Sequence, residues 1–189
     1  MKKHYKNKTL TEAISNMEFK CETAYNQEAI SAMAKAIRKT ARRKRSKRSH
    51  IFGVIVIILA LLLTLPIGDK EFVLDFRTII TWIAAAIILF TLIFEDKING
   101  YVARKRMLPG LEKAIVTFKE DGYHSETEIG SSDFKYNTIA LLAETTEYFV
   151  FIFSQSHAQI YSKKSITGGT VEEFRAFITN ATGKEIQKV

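Results

Sequence analysis

The sequence predicts an α+β membrane protein, with a transmembrane helical hairpin joined to a small antiparallel β-sheet cytoplasmic domain that is capped by a C-terminal helix. Two uncharged apolar runs occupy residues 49–68 and 78–94. Residues 29–48 hold nine Lys and Arg with no acid, and so account for nearly all of the net charge of +8. From residue 114 onward, short runs of alternating polarity are separated by Gly and polar residues, as in antiparallel strands. The apolar content of 47% excludes a disordered chain, and the single cysteine excludes a disulfide-stapled fold.

The N-terminal segment, residues 1–25, is expected to contain one strand. Met17, Phe19, Cys21 and Thr23 alternate with mostly polar residues, which is the period of a strand. A single strand is not stable by itself, so we expect it to join the C-terminal sheet.

Residues 26–48 predict a basic amphipathic helix that runs into the first apolar run. Apolar residues recur at helical spacing from Ile30 to Ala41, and cations occupy most other positions. These cations are Lys35, Arg38, Lys39, Arg42, Arg43, Lys44, Arg45, Lys47 and Arg48.

The two apolar runs predict transmembrane helices at residues 49–67 and 78–95, joined by an external loop at 68–77. A twenty-residue helix spans roughly 30 Å, the thickness of the hydrocarbon core of a bilayer. The alternative is a pair of helices buried in a soluble core. Such helices normally carry a polar stripe, whereas the first run offers only Thr64.

The distribution of cations predicts that both termini face the cytoplasm. Nine cations precede the first run and four follow the second, whereas the loop between them has only Lys70 and Arg77. Cys21 would then lie in a reducing compartment.

After a cytoplasmic linker at residues 96–112, residues 113–183 predict an antiparallel sheet and one helix, followed by a tail at 184–189. Asp121-Gly122 marks a hairpin, and residues 130–133 are predicted as a turn. The helix begins at a capping box, Thr170 to Glu173, and ends at Gly183. The strand at residues 148–153 is apolar on both faces. We expect helices to cover it on both sides, while a partner or the membrane remains the alternative cover.

Several short motifs in this region resemble the YcxB-like family of bacterial two-span membrane proteins. They are Phe118–Gly122, Tyr136–Ile139, Glu144–Phe149, Ile160–Ile166 and Glu172–Phe177. The resemblance implies a small pleckstrin-homology-like (PH-like) C-terminal domain and a place in the bacterial plasma membrane. It implies no reaction and therefore no catalytic residues. One departure is Ser162, which stands where the family commonly has a proline before the lysine.

The residues favour a protein that is not an enzyme, and they predict no cofactor and no metal. The four histidines are scattered, and no phosphate-binding Gly loop or nucleophile motif occurs. Gly168-Gly169 before a helix resembles an anion site, but the two glutamates that follow favour an ordinary turn and cap. Ser165 beside two lysines is far more typical of a strand end than of an activated hydroxyl.

We expect an interaction or regulatory role, with anionic lipid headgroups or an unidentified protein as partner at the inner membrane surface. The candidate contacts are the nine cations of residues 35–48 together with Lys163 and Lys164, and the first to test are Arg42, Arg43, Arg45, Lys163 and Lys164. The alternative for the cationic stretch is that it serves only to set topology. No nucleic acid is expected, because aromatic stacking residues are absent from the stretch. A homo-oligomer is compatible with the sequence.

Two other functions remain open. One is a membrane-stress or toxin immunity factor that acts through its transmembrane hairpin. The other is a membrane-embedded enzyme, for which Glu95, Asp96 and Arg104 are the available polar groups.

Overall fold

The computed structural model of this chain describes residues 17–66 and 74–189. The predictions made for residues 1–16 and for most of the external loop, Lys70 included, lie outside these ranges. The described helices are α1 (Gln27–Lys39), α2 (Arg43–Leu62), α3 (Phe76–Ile93), α4 (Glu95–Lys105) and α5 (Val171–Thr182). The described strands are β1 (Phe19–Ala24), β2 (Lys113–Lys119), β3 (Gly122–Thr127), β4 (Gly130–Phe134), β5 (Leu141–Glu144), β6 (Tyr148–Ile152), β7 (Ala158–Ser162), β8 (Ile166–Thr167) and β9 (Ile186–Lys188).

The strands form two sheets. One has the order β4-β3-β2-β1-β8 and the other the order β7-β6-β5-β9. Every pairing is antiparallel except β5 with β9, which is parallel. The predicted α+β class with antiparallel strands is confirmed, but the strands divide between two sheets instead of forming one. β1 pairs with β2 over its whole length, from Phe19 opposite Phe118 to Ala24 opposite Lys113.

The main core lies between the two sheets and α5. Phe118 of β2 is fully buried, and its ring centroid lies 5.9 Å from that of Phe151 in the other sheet and 4.9 Å from that of Phe174 in α5. Such edge-to-face aromatic pairs add to the free energy gained by burying apolar area. The capping box predicted for α5 is present, since Thr170 and Glu173 each accept a hydrogen bond from the backbone N–H of the other.

The apolar strand β6 is covered on both faces within the chain. Phe149 and Phe151 point into the core shared with α5, whereas Val150 and Ile152 pack under α1. Because side chains alternate along a strand, these two sets face opposite ways. The C-terminal helix and the N-terminal amphipathic helix therefore cover the two sides of this strand.

The basic segment, predicted as one helix over residues 26–48, is two helices. α1 ends at Lys39, and α2 begins at Arg43 after a turn in which the Arg42 N–H donates to the Ile37 carbonyl. Apolar residues hold α1 on the sheet as far as Ala41, but the next large apolar residue is Ile51. The sequence from residue 42 onward therefore has no apolar face with which to stay on the sheet, and the chain turns away.

α2 carries the end of the basic segment directly into the first apolar run. It packs against α3, with the buried Gly53 facing the tip of Leu92. Phe52, on the other side of α2, is 68% exposed, and large apolar side chains are exposed along both helices. The uncharged part of α2, residues 49–62, measures about 21 Å at 1.5 Å per residue.

Among the described helices, Phe76–Ile93 is the one whose length and apolar composition are sufficient to cross a membrane, and little of it is buried within the protein. One candidate spanning helix is therefore found where two were predicted. α2 contains the first apolar run, but five cations lie in its N-terminal half and it ends at Leu62.

Three segments of the C-terminal half differ from their predictions. Residues 130–133, predicted as a turn, begin β4, and the turn lies at Glu128-Ile129. A polar sequence is tolerated there because β4 is an edge strand with both faces mostly exposed. The predicted linker contains α4, which packs along α1, and the predicted tail contains β9.

Candidate functional site

Exposed cations are concentrated at the junction of α1 and α2. We call this set the cationic segment. It consists of Lys39, Arg42, Arg43, Lys44, Arg45, Lys47 and Arg48. Within the described ranges, no carboxylate lies within 4.0 Å of any of their charged groups. Ile51, the first apolar residue of α2, follows one turn after Lys47, so a dense positive charge adjoins an exposed apolar surface.

Part of the cationic segment lines a pocket of about 560 Å³ between the start of α2 and the last strand. Arg43, Lys47 and His50 recur at helical spacing on one face of α2. Gln187 and Lys188 of β9 form the opposite wall. We call this hollow the α2–β9 pocket.

The N-terminus of α2 is uncapped. Arg42, at the N-cap position, makes no side-chain hydrogen bond to the helix, and the first turn has no acidic residue. The first N–H groups of a helix carry partial positive charge, so cations at this end are electrostatically unfavourable and an anion there is stabilised. Local sequence and helix geometry thus combine to make this end of α2 strongly positive.

Arg38 has a different role from its exposed neighbours. Its Nε and Nη2 donate to the two carboxylate oxygens of Asp96 in α4, at 2.6 and 2.7 Å. These bonds raise the pKa of the Arg38 guanidinium. The charge of Arg38 is therefore already paired within the chain, and it ties α1 to α4. Lys35, which is half-buried, lies on the same helix.

Next to this ion pair is a buried carboxylate oxygen that lacks a hydrogen bond. Glu95 Oε2 lies 3.5 Å from His50 Nε2 and 3.8 Å from Arg38 Nε, and it accepts no hydrogen bond from any residue that the structure describes. His50 Nδ1 lies 2.9 Å from the Ser46 carbonyl oxygen, which can only accept, so the proton of this bond is on Nδ1. The polar groups of α1, α2 and α4 thus converge where the apolar helices leave the folded domain.

Lys163 belongs to a second ion cluster, at the end of β7. Its Nζ lies 2.6 Å from Glu144 Oε1, and Arg175 of α5 donates from Nη2 to the same oxygen at 2.7 Å. The Glu144 side chain is only 6% exposed. Hydrogen bonds from Arg175 and then Lys163 lower the pKa of Glu144 to about 2, against the effect of burial. This cluster joins β5, β7 and α5. The charge of Lys163 is therefore paired with Glu144 within the chain.

Lys164 points away from this cluster and is 80% exposed, with its Nζ 2.6 Å from Glu147 Oε2. Its pKa is raised mainly by the hydrogen bond to Glu147, with a smaller contribution from Glu28 in the first turn of α1. The cationic segment begins at Lys39 in the last turn of α1, about 17 Å further along the helix axis. The structure therefore separates Lys163 and Lys164 from the other predicted contact residues.

The remaining candidate sites are not assembled. Ser165 donates to the Ser162 carbonyl, and Lys163 is directed at Glu144. Arg104 lies two turns along α4 from Asp96. At Gly168-Gly169, the capping box occupies the start of α5. In residues 17–66 and 74–189 there is no group of three or more His, Cys, Asp and Glu side chains arranged to hold a metal.

The motifs quoted for the family resemblance all lie in the two-sheet domain, from the β2–β3 hairpin through α5. Residues 118–178 match the family model of YcxB-like proteins. This match covers about a third of the chain and supports the YcxB-like family for that region. No curated protein and no solved structure matches the chain.

Ser162, at which the family resemblance implies a proline, makes a backbone contact with β1. Ser162 has φ −72°, which is within the range that proline requires. Its backbone N–H donates to the buried hydroxyl of Thr23 at 3.1 Å, a bond that proline could not make. This position therefore links the YcxB-like region to β1, which lies outside the matched residues.

Two sets of residues that matter at these sites were not predicted. Glu144 looked like an ordinary strand residue, and Gln187 and Lys188 looked like part of a tail. The alternation of Ile186, Gln187 and Lys188 was the only local signal of a strand, and three residues are too few to interpret.

Proposed function

We propose that this chain is a membrane-anchored, non-enzymatic interaction module, in which α2 and α3 cross the bilayer as a hairpin and both termini face the cytoplasm. One observation carries the proposal: in α2, a run of exposed cations that have no carboxylate partner among the described residues leads directly into an exposed apolar surface. A helix in water normally separates these two properties onto opposite faces instead of opposite ends.

The exposed apolar area supports the membrane location. Side chains on both helices, such as Phe52, Phe76 and Ile93, are each more than 60% exposed. Contiguous apolar patches of this extent are rare on soluble monomers, because their exposure to water costs roughly 25 cal/mol per Å². Lipid would remove that cost without requiring any further protein.

The cationic segment supports contact with the inner membrane surface. Cations close to an anionic leaflet each contribute up to ~1 kcal/mol of attraction. Paired cations contribute less, so Arg38 and Lys163 support the proposal less than do the seven residues of the cationic segment, which have no carboxylate partner among the described residues. We place the lipid contact on those seven and reserve the two-sheet domain for a partner protein.

We further propose that the two-sheet domain has a PH-like fold. Two facing sheets, antiparallel except for the pair β5–β9, are closed by a C-terminal helix and support it, as does the match of residues 118–178 to the YcxB-like family. Such a domain would sit at the membrane surface, next to the cationic segment that anchors it.

Cysteine labelling in intact cells tests the topology. In a Cys21→Ser background, Leu74→Cys places a thiol in the predicted external loop, and Ser132→Cys places one on the exposed edge strand β4. A membrane-impermeant maleimide should label the first variant in intact cells and the second only after lysis. Labelling of both variants in intact cells, or of neither, would overturn the hairpin.

Lipid selectivity tests the surface contact. The full chain, placed in nanodiscs with equal phosphatidylglycerol and phosphatidylcholine, should retain the anionic lipid preferentially in native mass spectrometry. Replacing Arg42, Arg43 and Arg45 by Glu should abolish the preference. Unchanged preference, with topology preserved, would contradict the proposal.

The matched control for this experiment reverses three exposed cations on the two-sheet domain. These are Lys113, Lys119 and Lys135. Because the same charge is removed from the two-sheet domain instead of from the cationic segment, the control should keep the preference of the unmodified chain.

A further inference from the structure

We propose that the α2–β9 pocket binds the phosphate of an anionic lipid headgroup. This inference rests on the proposed function and adds a defined site to the diffuse attraction of the cationic segment. Its ligand class is an anionic glycerophospholipid, and its binding groups come from two parts of the chain that are about 140 residues apart in sequence.

Charge is the first argument. Lys39, Arg43, Lys47 and Lys188 face one hollow of about 560 Å³, and none has a carboxylate within 4.0 Å among the described residues. Arg38 also lines the pocket, but Asp96 already pairs with it. Like charges around a common space repel one another, and a bound anion relieves that repulsion.

The helix end is the second, independent argument. Arg43 and Lys47 lie in the first two turns of α2, whose N-terminal N–H groups have no side-chain cap. An anion in the pocket would interact favourably with these groups as well as with the side chains. Gln187 and Ser46 add neutral hydrogen-bonding groups to the wall, which suit the oxygens of a phosphate.

The position of the pocket along α2, relative to the expected membrane surface, indicates that the phosphate belongs to a lipid. Lys47 precedes Ile51, the first apolar residue of α2, by about 6 Å along the helix axis. The headgroup region of a bilayer extends roughly 5–8 Å outside the hydrocarbon core. If α2 enters the membrane at Ile51, the pocket lies at the level of the lipid phosphates.

The test measures binding of short-chain lipids to the purified full chain in a neutral detergent. Isothermal titration with dihexanoyl phosphatidylglycerol should give saturable binding, whereas dihexanoyl phosphatidylcholine and inorganic phosphate should bind at least tenfold more weakly. The pocket variant Arg43→Gln/Lys47→Gln should weaken binding of the anionic lipid about tenfold or more. Lys188→Gln should weaken it about threefold, although it lies outside the cationic segment.

The matched control is Lys44→Gln/Arg48→Gln, which removes two cations with the same spacing from the same helix but outside the pocket. It should change binding less than twofold. Equal weakening by both double variants, with no effect of Lys188→Gln, would overturn the pocket and leave the proposed function standing. Inorganic phosphate that binds as tightly as the lipid would overturn the lipid source. If the triple reversal at Arg42, Arg43 and Arg45 also has no effect on lipid preference, the proposed function fails with the pocket.

Discussion

Arg38 and Asp96 form a two-bond ion pair that connects the segment before the first apolar helix to the segment after the second. The pair joins α1 to α4, with N–O distances of 2.6 and 2.7 Å. Four residues further along α4, Gly100 lies against the backbone of Ser31 in α1. The segments that flank the two apolar helices are thus held together by packing and by charge.

Asp96→Asn should lower the free energy of unfolding by about 1–3 kcal/mol, because a charge-assisted pair that is about three-quarters buried is lost. Thermal unfolding of the full chain in detergent measures this change. Asp133→Asn is the control, since this side chain is 87% exposed, and it should have little effect. Equal shifts in the two variants would show that the Arg38 pair does not stabilise the fold.

The Glu144 cluster should make stability depend on pH at the acid end. The pKa of Glu144 in the folded state is about 2, below the value of 4.5 that a glutamate has in the unfolded chain. Folding is therefore stabilised above pH 4.5, and the contribution disappears as the pH falls towards 2. The difference corresponds to about 3 kcal/mol.

Glu144→Gln should therefore be less stable than the unmodified chain at neutral pH, with the difference shrinking as the pH falls from 5 to 2. Unfolding midpoints across this range provide the measurement. Glu128→Gln is the control, because this residue is exposed and has no cation within 4.0 Å in the described part of the chain. A constant gap between Glu144→Gln and the unmodified chain at all pH values would refute the assignment.

Two helical glycines should respond oppositely to alanine. A Cβ at Gly100 would lie 2.8 Å from the Cα of Ser31, whereas a Cβ at Gly53 would lie 2.8 Å from the movable tip of Leu92. Gly100→Ala should destabilise the fold by about 1–3 kcal/mol, even though alanine favours helix by about 1 kcal/mol. Gly53→Ala should be neutral or stabilising in thermal unfolding. If it lowered the stability as much as Gly100→Ala does, the contact with Leu92 would be as rigid as that with Ser31.

Ser162→Pro tests the link between β1 and the YcxB-like region. The backbone angle suits proline, so the cost should come from losing the hydrogen bond to Thr23, about 1 kcal/mol. Thr23→Val should lower the free energy of unfolding of the otherwise unmodified chain, because it leaves the Ser162 N–H without its acceptor. In the Ser162→Pro background, which lacks this N–H, the same substitution should be nearly neutral. Additive effects of the two substitutions in chemical denaturation would show that the bond contributes nothing.

Local sequence patterns predicted the parts of the fold that depend on near neighbours. The alternation around Phe19 and Cys21 coincides with β1, and the Thr170 to Glu173 motif coincides with the observed capping box. The division of the basic segment at Thr40 was not predicted, because it depends on where α1 loses its contact with the sheet. The strand β9 was missed for a similar reason, since its partner β5 is more than forty residues away.

By itself, the sequence determined the α+β class with antiparallel strands, because helix and strand periods are local properties. It also located the excess of positive charge. Only the tertiary structure decided which cations are free, since Asp96 and Glu144 reach Arg38 and Lys163 from distant parts of the chain. Ion pairs between residues far apart in the sequence produce no periodic pattern in it. Only the fold therefore shows which cations are paired within the chain and which are exposed without a described partner.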